Sequence, residues 1–236
     1  MKTRLIVAAL FLAAQSLLTA AIIEFTVSGT ANTTGMGYTA GQSVSFTYTL
    51  NDFAPTPPSG DRGSTYVGWF DESTASDPEL WSDVRGTGLS GTWTRPATQT
   101  GSPYSFLTAQ SNPSGLLNLF AGTDTTAAPY DTGITVNGST IRGIGMDANY
   151  SGLSFAIPGT VPDPTAYFGG YLGTYSVASG ANGWIDYDGG FIGFTPQNLT
   201  ITAVPEPATW MAGAFLGVVL LGRHGRRLLG RLGSRA

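Results

Sequence analysis

Ser43-Val44-Ser45-Phe46-Thr47-Tyr48-Thr49-Leu50 decides the fold class. Its apolar residues recur at every second position, so Val44, Phe46, Tyr48 and Leu50 share one face of an extended strand and the hydroxyl residues share the other. One face is core and the other is wet, which is the pattern of an antiparallel sheet. The same alternation occurs in Ile23, Phe25 and Val27 near the start and in Leu199, Ile201 and Ala203 near position 200. Ile134-Thr135-Val136-Asn137-Gly138-Ser139-Thr140-Ile141 reads as a hairpin, because Asn-Gly supplies the positive φ angles of a type I′ turn. Its expected register sets Val136 opposite Ser139 and Thr135 opposite Thr140. Further strands are expected at 66–70, 89–94, 104–109, 115–120, 143–147, 150–157, 166–177 and 190–195. No helical period is sustained, and glycine, serine and threonine are abundant. The expected fold of residues 22–203 is therefore all-β, an antiparallel β-sandwich of jelly-roll type. Residues 51–63, with Pro55, Pro57 and Pro58, read as a loop too rich in proline for a central strand.

Charge limits what this segment can do. Of the 15 acids in the chain, 14 fall between Ile22 and Ala203, against four arginines (Arg62, Arg85, Arg95, Arg142), a formal charge of −10. Phosphate backbones need clustered Lys and Arg, so a nucleic-acid partner is not expected. The segment has no Lys, His or Cys. Ser-His-Asp and Cys-His nucleophiles, His or Cys zinc sites, Schiff-base lysines and Walker loops all need one of these residues. No disulfide can form.

Carboxylates remain as acid-base groups. Asp71, Glu72, Asp77, Glu79 and Asp83 lie in sequence around Trp69, Phe70 and Trp81, the residue types of a glycan-binding or glycan-cleaving groove. A solvated acidic loop accounts for them equally simply and is the preferred reading, so no catalytic residue is assigned. Trp69, Trp81, Trp93 and Trp184 can each stack on a sugar ring or fill a core. In Asn182-Gly183-Trp184-Ile185-Asp186-Tyr187-Asp188-Gly189-Gly190, Asp186 and Asp188 are weak candidates for a Ca²⁺ site, with a strand ending in an Asp-Gly turn as the preferred reading. No cofactor is required.

The ends differ from the middle. Lys2 and Arg4, an apolar run from Leu5 to Ala14 and the small residues Thr19-Ala20-Ala21 have the order of a secretory signal peptide over residues 1–21. Beyond Ala203, Val204-Pro205-Glu206-Pro207 precedes an uncharged stretch, 208–222, and an arginine-rich tail, 223–236. As a helix, those 15 residues would span about 22 Å, short of a hydrocarbon core of about 30 Å. Trp210 at one interface and Arg223, Arg226 and Arg227 at the other would help so short a transmembrane helix to fit. Basic residues at both ends place them on the cytoplasmic side and the acidic middle outside.

This C-terminal order resembles the PEP-CTERM sorting signal: a Val-Pro-Glu-Pro motif, an apolar helix and arginines. The resemblance covers the last 33 positions or so. It implies an exported protein of a Gram-negative bacterium, of a class often found with exopolysaccharide. Pro205, Glu206 and Pro207 would be presented to an exosortase in the inner membrane and the tail removed. The extension Leu228–Ala236 departs from the usual pattern. The expected role is that of a non-catalytic surface or matrix protein with polysaccharide as its partner. A carboxylate-dependent glycan-active enzyme and a Ca²⁺-stabilised adhesion module are the alternatives.

Overall fold

A computed structural model describes residues 21–51, 58–71, 79–94, 105–111, 115–122, 132–187 and 190–205. The chain divides into two compact units, Ile23–Ala203 and the two ends, Met1–Ile22 with Val204–Ala236. Only Ala21, Ile22, Val204 and Pro205 of the second are described. The signal segment, Glu206, Pro207, the 208–222 stretch with Trp210, and Arg223, Arg226 and Arg227 lie outside the described residues. Among those described, no helix is long and apolar enough to cross a membrane.

The described strands are β1 (Ala21–Ala31), β2 (Ser43–Leu50), β3 (Ser59–Arg62), β4 (Tyr66–Asp71), β5 (Trp81–Gly86), β6 (Leu89–Gly91), β7 (Ser105–Gln110), β8 (Leu116–Gly122), β9 (Ile134–Val136), β10 (Ser139–Tyr150), β11 (Gly173–Tyr187) and β12 (Gly190–Pro205). They form one antiparallel sheet in the order β3-β4-β7-β8-β10-β11-β12-β1-β2-β5, curled into a half-barrel. β9 attaches to β10 and carries β6. The expected antiparallel all-β class holds, whereas the hydrogen bonding follows a single path.

Alternation decides which side of the curl is filled. Phe25 and Val27 of β1, Val44, Phe46, Tyr48 and Leu50 of β2, Leu107 of β7, Leu119 of β8 and Ile201 of β12 are all buried on the inner face. Val27 lies opposite Phe46 and Phe25 opposite Tyr48. Curling brings distant strands together: Trp81 Nε1 on β5 donates to Phe120 O on β8, 2.8 Å away. Those strands lie six places apart in the sheet order. The Asn-Gly hairpin has the expected register, Val136 opposite Ser139 and Thr135 opposite Thr140. Its turn is left-handed, with φ of 47° at Asn137 and 82° at Gly138.

Three local expectations need correction. Residues 166–171 are helical, in α1 (Pro164–Phe168) and a following 3₁₀ turn, Gly169–Tyr171, so that the next strand starts at Gly173. Pro164 begins the helix with a preset φ, and Asp163 Oδ1 accepts the Ala166 N–H at 2.8 Å. Phe168 then fills the hollow, 4.8 Å from Phe25 and 5.4 Å from Trp69 between ring centroids. The strands expected at 143–147 and 150–157 are instead one strand, β10, followed by a turn at Ser151–Gly152 and an extended segment that buries Leu153 and Phe155. Within the stretch read as a loop, Ser59–Arg62 pairs with β4 as the sheet edge, where nearby prolines cost no interior hydrogen bond. Strand β12 itself runs through Val204 to Pro205.

Candidate functional site

The outer face of the half-barrel carries a line of aromatic side chains on the side away from the core. Phe70 is opposite Phe106, Phe106 opposite Phe120, Phe120 opposite Gly145, Gly145 opposite Trp184, and Trp184 opposite Gly193. These positions form one row running across the strands from β4 to β12. Phe70, Phe106, Phe120 and Trp184 are all half-buried. Phe106 and Phe120 have centroids 5.5 Å apart and planes inclined by 27°. Phe120 and Trp184 are 6.3 Å apart at 24°. That last contact crosses β10 because position 145 lacks a side chain. A Cβ there would lie 2.5 Å from Trp184 Cζ2 and 2.9 Å from Phe120 Cδ2, so both rings lie down on the β10 backbone.

A second row runs beside the first, two residues along each strand. Gly68, Thr108, Asn118, Asp147 and Asn182 are successive register partners. Partial burial raises the Asp147 pKa, and a hydrogen bond with the Asn182 side chain partly opposes that rise. Two residues of strand separate the rows by about 7 Å. The outer face therefore presents a planar apolar row and a parallel polar row.

Beyond the aromatic row, Arg142, Trp184, Asp186, Tyr187, Gly190 and Phe191 line an open pocket of about 450 Å³. Arg142 occupies a β-bulge between Ile141 and Gly143. Its Nη1 lies 3.5 Å from Asp186 Oδ2. Phe191 is opposite Asp186 and 72% exposed, an unusual placement for a phenylalanine. The pocket thus sets a hydrogen-bond donor and an acceptor side by side between aromatic walls.

The structure separates the tryptophans that sequence alone leaves equivalent. Trp69, Trp81 and Trp93 are buried in the core, and Trp184 is on the outer face. Trp69 Nε1 donates to Pro162 O at 2.8 Å, which fixes its ring inside. The alternative reading of Trp69 and Trp81 with nearby acids as one groove does not hold for the two tryptophans, since both rings face the interior. Asp83 pairs instead with Arg85 at 2.7 Å, and Arg85 also holds Glu24 at 2.6 Å. Glu79 is half-buried, and only the backbone of Asp71, at the end of β4, is described. Glu72, Asp77 and Asp188 lie outside the described residues. Asp186, weighed for Ca²⁺, pairs with Arg142, and among the described residues no three His, Cys, Asp or Glu side chains sit together. Val204 is half-buried near the end of β12, and Pro205 is the strand's last residue.

Phe70, Phe106, Phe120, Phe191, Gly145 and Arg142 are brought to one face by register, which the sequence does not state. A signal existed in aromatics occupying the polar-phase positions of β4, β7 and β8. Comparison with known proteins finds no family model, no curated relative and no solved structure that matches this chain. The fold and surface define a class only, an antiparallel curled-sheet protein with an aromatic outer face.

Proposed function

We propose that this is an exported, surface-targeted protein whose β-domain binds polysaccharide without cleaving it, as a structural or binding component of the envelope or exopolysaccharide matrix. The observation that carries the reading is the open pocket in which Trp184 and exposed Phe191 flank the Arg142–Asp186 ion pair. Sugar rings have apolar C–H faces and hydroxyl edges, so an aromatic wall beside a paired donor and acceptor suits both. The absence of His, Cys and Lys from residues 22–203 supports a binding role over nucleophilic catalysis. In this reading the half-barrel is a jelly-roll-like sandwich whose two layers belong to one folded-over sheet.

The route to the surface rests on the ends of the chain. The N-terminal segment directs export, and Val204-Pro205-Glu206-Pro207 with the apolar stretch and arginines forms the PEP-CTERM address, processed by an exosortase at the inner membrane. Two experiments test the proposal. Retention of the purified protein on the host's own exopolysaccharide should fall about tenfold, some 1.4 kcal/mol, in Trp184→Ala and Phe191→Ala variants; undiminished retention in both would overturn the binding role. Intact-mass measurement of the native protein should find residues beyond the motif removed, and Glu206→Ala should block that removal; unchanged maturation would overturn the sorting role.

A further inference from the structure

We infer that the outer face binds a linear, uncharged glycan lengthwise, across the strands, with its ring faces on the Phe70–Phe106–Phe120–Trp184 row and its hydroxyl edge on Thr108, Asn118, Asp147 and Asn182. This deepens the polysaccharide-binding reading and rests on it. The two rows are aligned by the same register pairs, so Phe106, Phe120 and Trp184 have Thr108, Asn118 and Asn182 two residues along their own strands, while Phe70 lies over Gly68 and Asp147 stands two residues from Gly145. Strands are about 4.8 Å apart, so the four steps from β4 to β11 measure about 19 Å, the reach of a short oligosaccharide rather than one sugar.

The outer rings are set on the sheet itself. Inside the hollow, ring angles run from 25° for Phe155 with Tyr167 to 88° for Phe25 with Trp81, as rings packed from several directions do. On the outer face the neighbouring planes differ by only 27° and 24°, and Trp184 and Phe120 lie flat on β10 at Gly145. Near-parallel Phe106, Phe120 and Trp184, with Phe70 continuing the same register line, offer a platform to a planar apolar ligand surface. The parallel polar row excludes a lipid acyl chain as the best fit, since hydrocarbon over Thr108, Asn118 and the Asp147 carboxylate would take water from them and return no hydrogen bond. An added peptide strand has no edge to pair with here, because β4, β7, β8, β10 and β11 are each paired on both sides. Charge selects among glycans: the face carries Asp147 and Asp186 with Arg142 already beside Asp186, within a domain of formal charge −10, which disfavours a polyanionic chain.

The test uses the full-length protein and size-fractionated fragments of the host exopolysaccharide, neutral and acidic, from disaccharide upward, in calorimetric titrations. Affinity should rise with fragment length until the row is spanned and then level off, with little change between low and high salt. Phe106→Ala and Asn118→Ala should weaken the longer fragments about tenfold and leave the disaccharide unaffected. Asn118 is on the polar outer row, so its variant keeps the melting temperature and serves as the control for folding. Length-independent affinity, or long-fragment binding unchanged in both variants while Trp184→Ala and Phe191→Ala still weaken retention, would overturn the row and leave the pocket standing. A steep salt dependence would overturn the uncharged ligand. Absence of binding to every fragment and to the intact polysaccharide would overturn the row together with the reading beneath it.

Discussion

Trp81 of β5 donates its indole N–H to the backbone oxygen of Phe120 on β8 at 2.8 Å, joining strands that the sheet itself keeps six places apart. The donor ring belongs to the core, 5.3 Å from Tyr48 and 6.2 Å from Phe25. The acceptor residue points its own ring to the opposite face, against Phe106 and Trp184. One residue therefore links the closure of the half-barrel to the outer aromatic row.

Trp81→Phe removes that hydrogen bond and part of a buried ring. We expect a loss of about 1–3 kcal/mol of stability, measured by urea unfolding. The same variant should weaken polysaccharide retention, because β8 loses its anchor.

Alkali should unfold the protein from a threshold near the ordinary tyrosine pKa. Burial pushes Tyr38 up to about 12 and holds Tyr48, Tyr150 and Tyr167 higher still. Their folded pKa values exceed the unfolded value of about 10, so the stability they contribute is complete below that pH and is lost as pH rises through 10 and beyond. For fully buried Tyr48 the loss is about 1.4 kcal/mol per pH unit. The Tyr48 hydroxyl has no hydrogen-bond partner among the described residues. Tyr48→Phe should therefore raise stability at neutral pH by about 1 kcal/mol and flatten the alkaline limb of a melting-temperature profile.

Asp147 carries the opposite consequence at acid pH. Its folded pKa is raised, chiefly by partial burial. Its contribution to stability is thus present below the unfolded value of about 3.9 and is lost as pH rises through the folded one. Asp147→Asn should melt higher than wild type at pH 7, with the difference vanishing below about pH 4. A carboxylate kept at a cost in stability on the polar row should be needed there, so the same variant should bind long fragments less well.

Gly145→Ala tests the lying-down geometry of the rings. The new methyl group would meet Trp184 at 2.5 Å and Phe120 at 2.9 Å. The rings must lift, at about 1–3 kcal/mol, and polysaccharide retention should fall toward that of Trp184→Ala while the core tryptophans keep their near-ultraviolet dichroism.

The sequence by itself determined the sheet class, because a strand with one buried face must alternate, as Ser43–Leu50 does, and because Asn137-Gly138 permits a left-handed turn that fixes its hairpin. Composition likewise removed histidine, cysteine and lysine chemistry from residues 22–203. Helix α1 escaped that reading: five residues are too few for a helical period to be visible, and only Asp163 before Pro164 marked the start. The outer face was decided by tertiary structure alone. Alternation tells which residues share a side of their own strand, while alignment between strands depends on which strands pair and in what register. Phe70, Phe106, Phe120 and Trp184 lie up to 114 positions apart along the chain, and no local preference connects them. The difference between Trp81 and Trp184 has the same origin, since both are aromatic residues in strands and only the direction of the curl makes one of them interior.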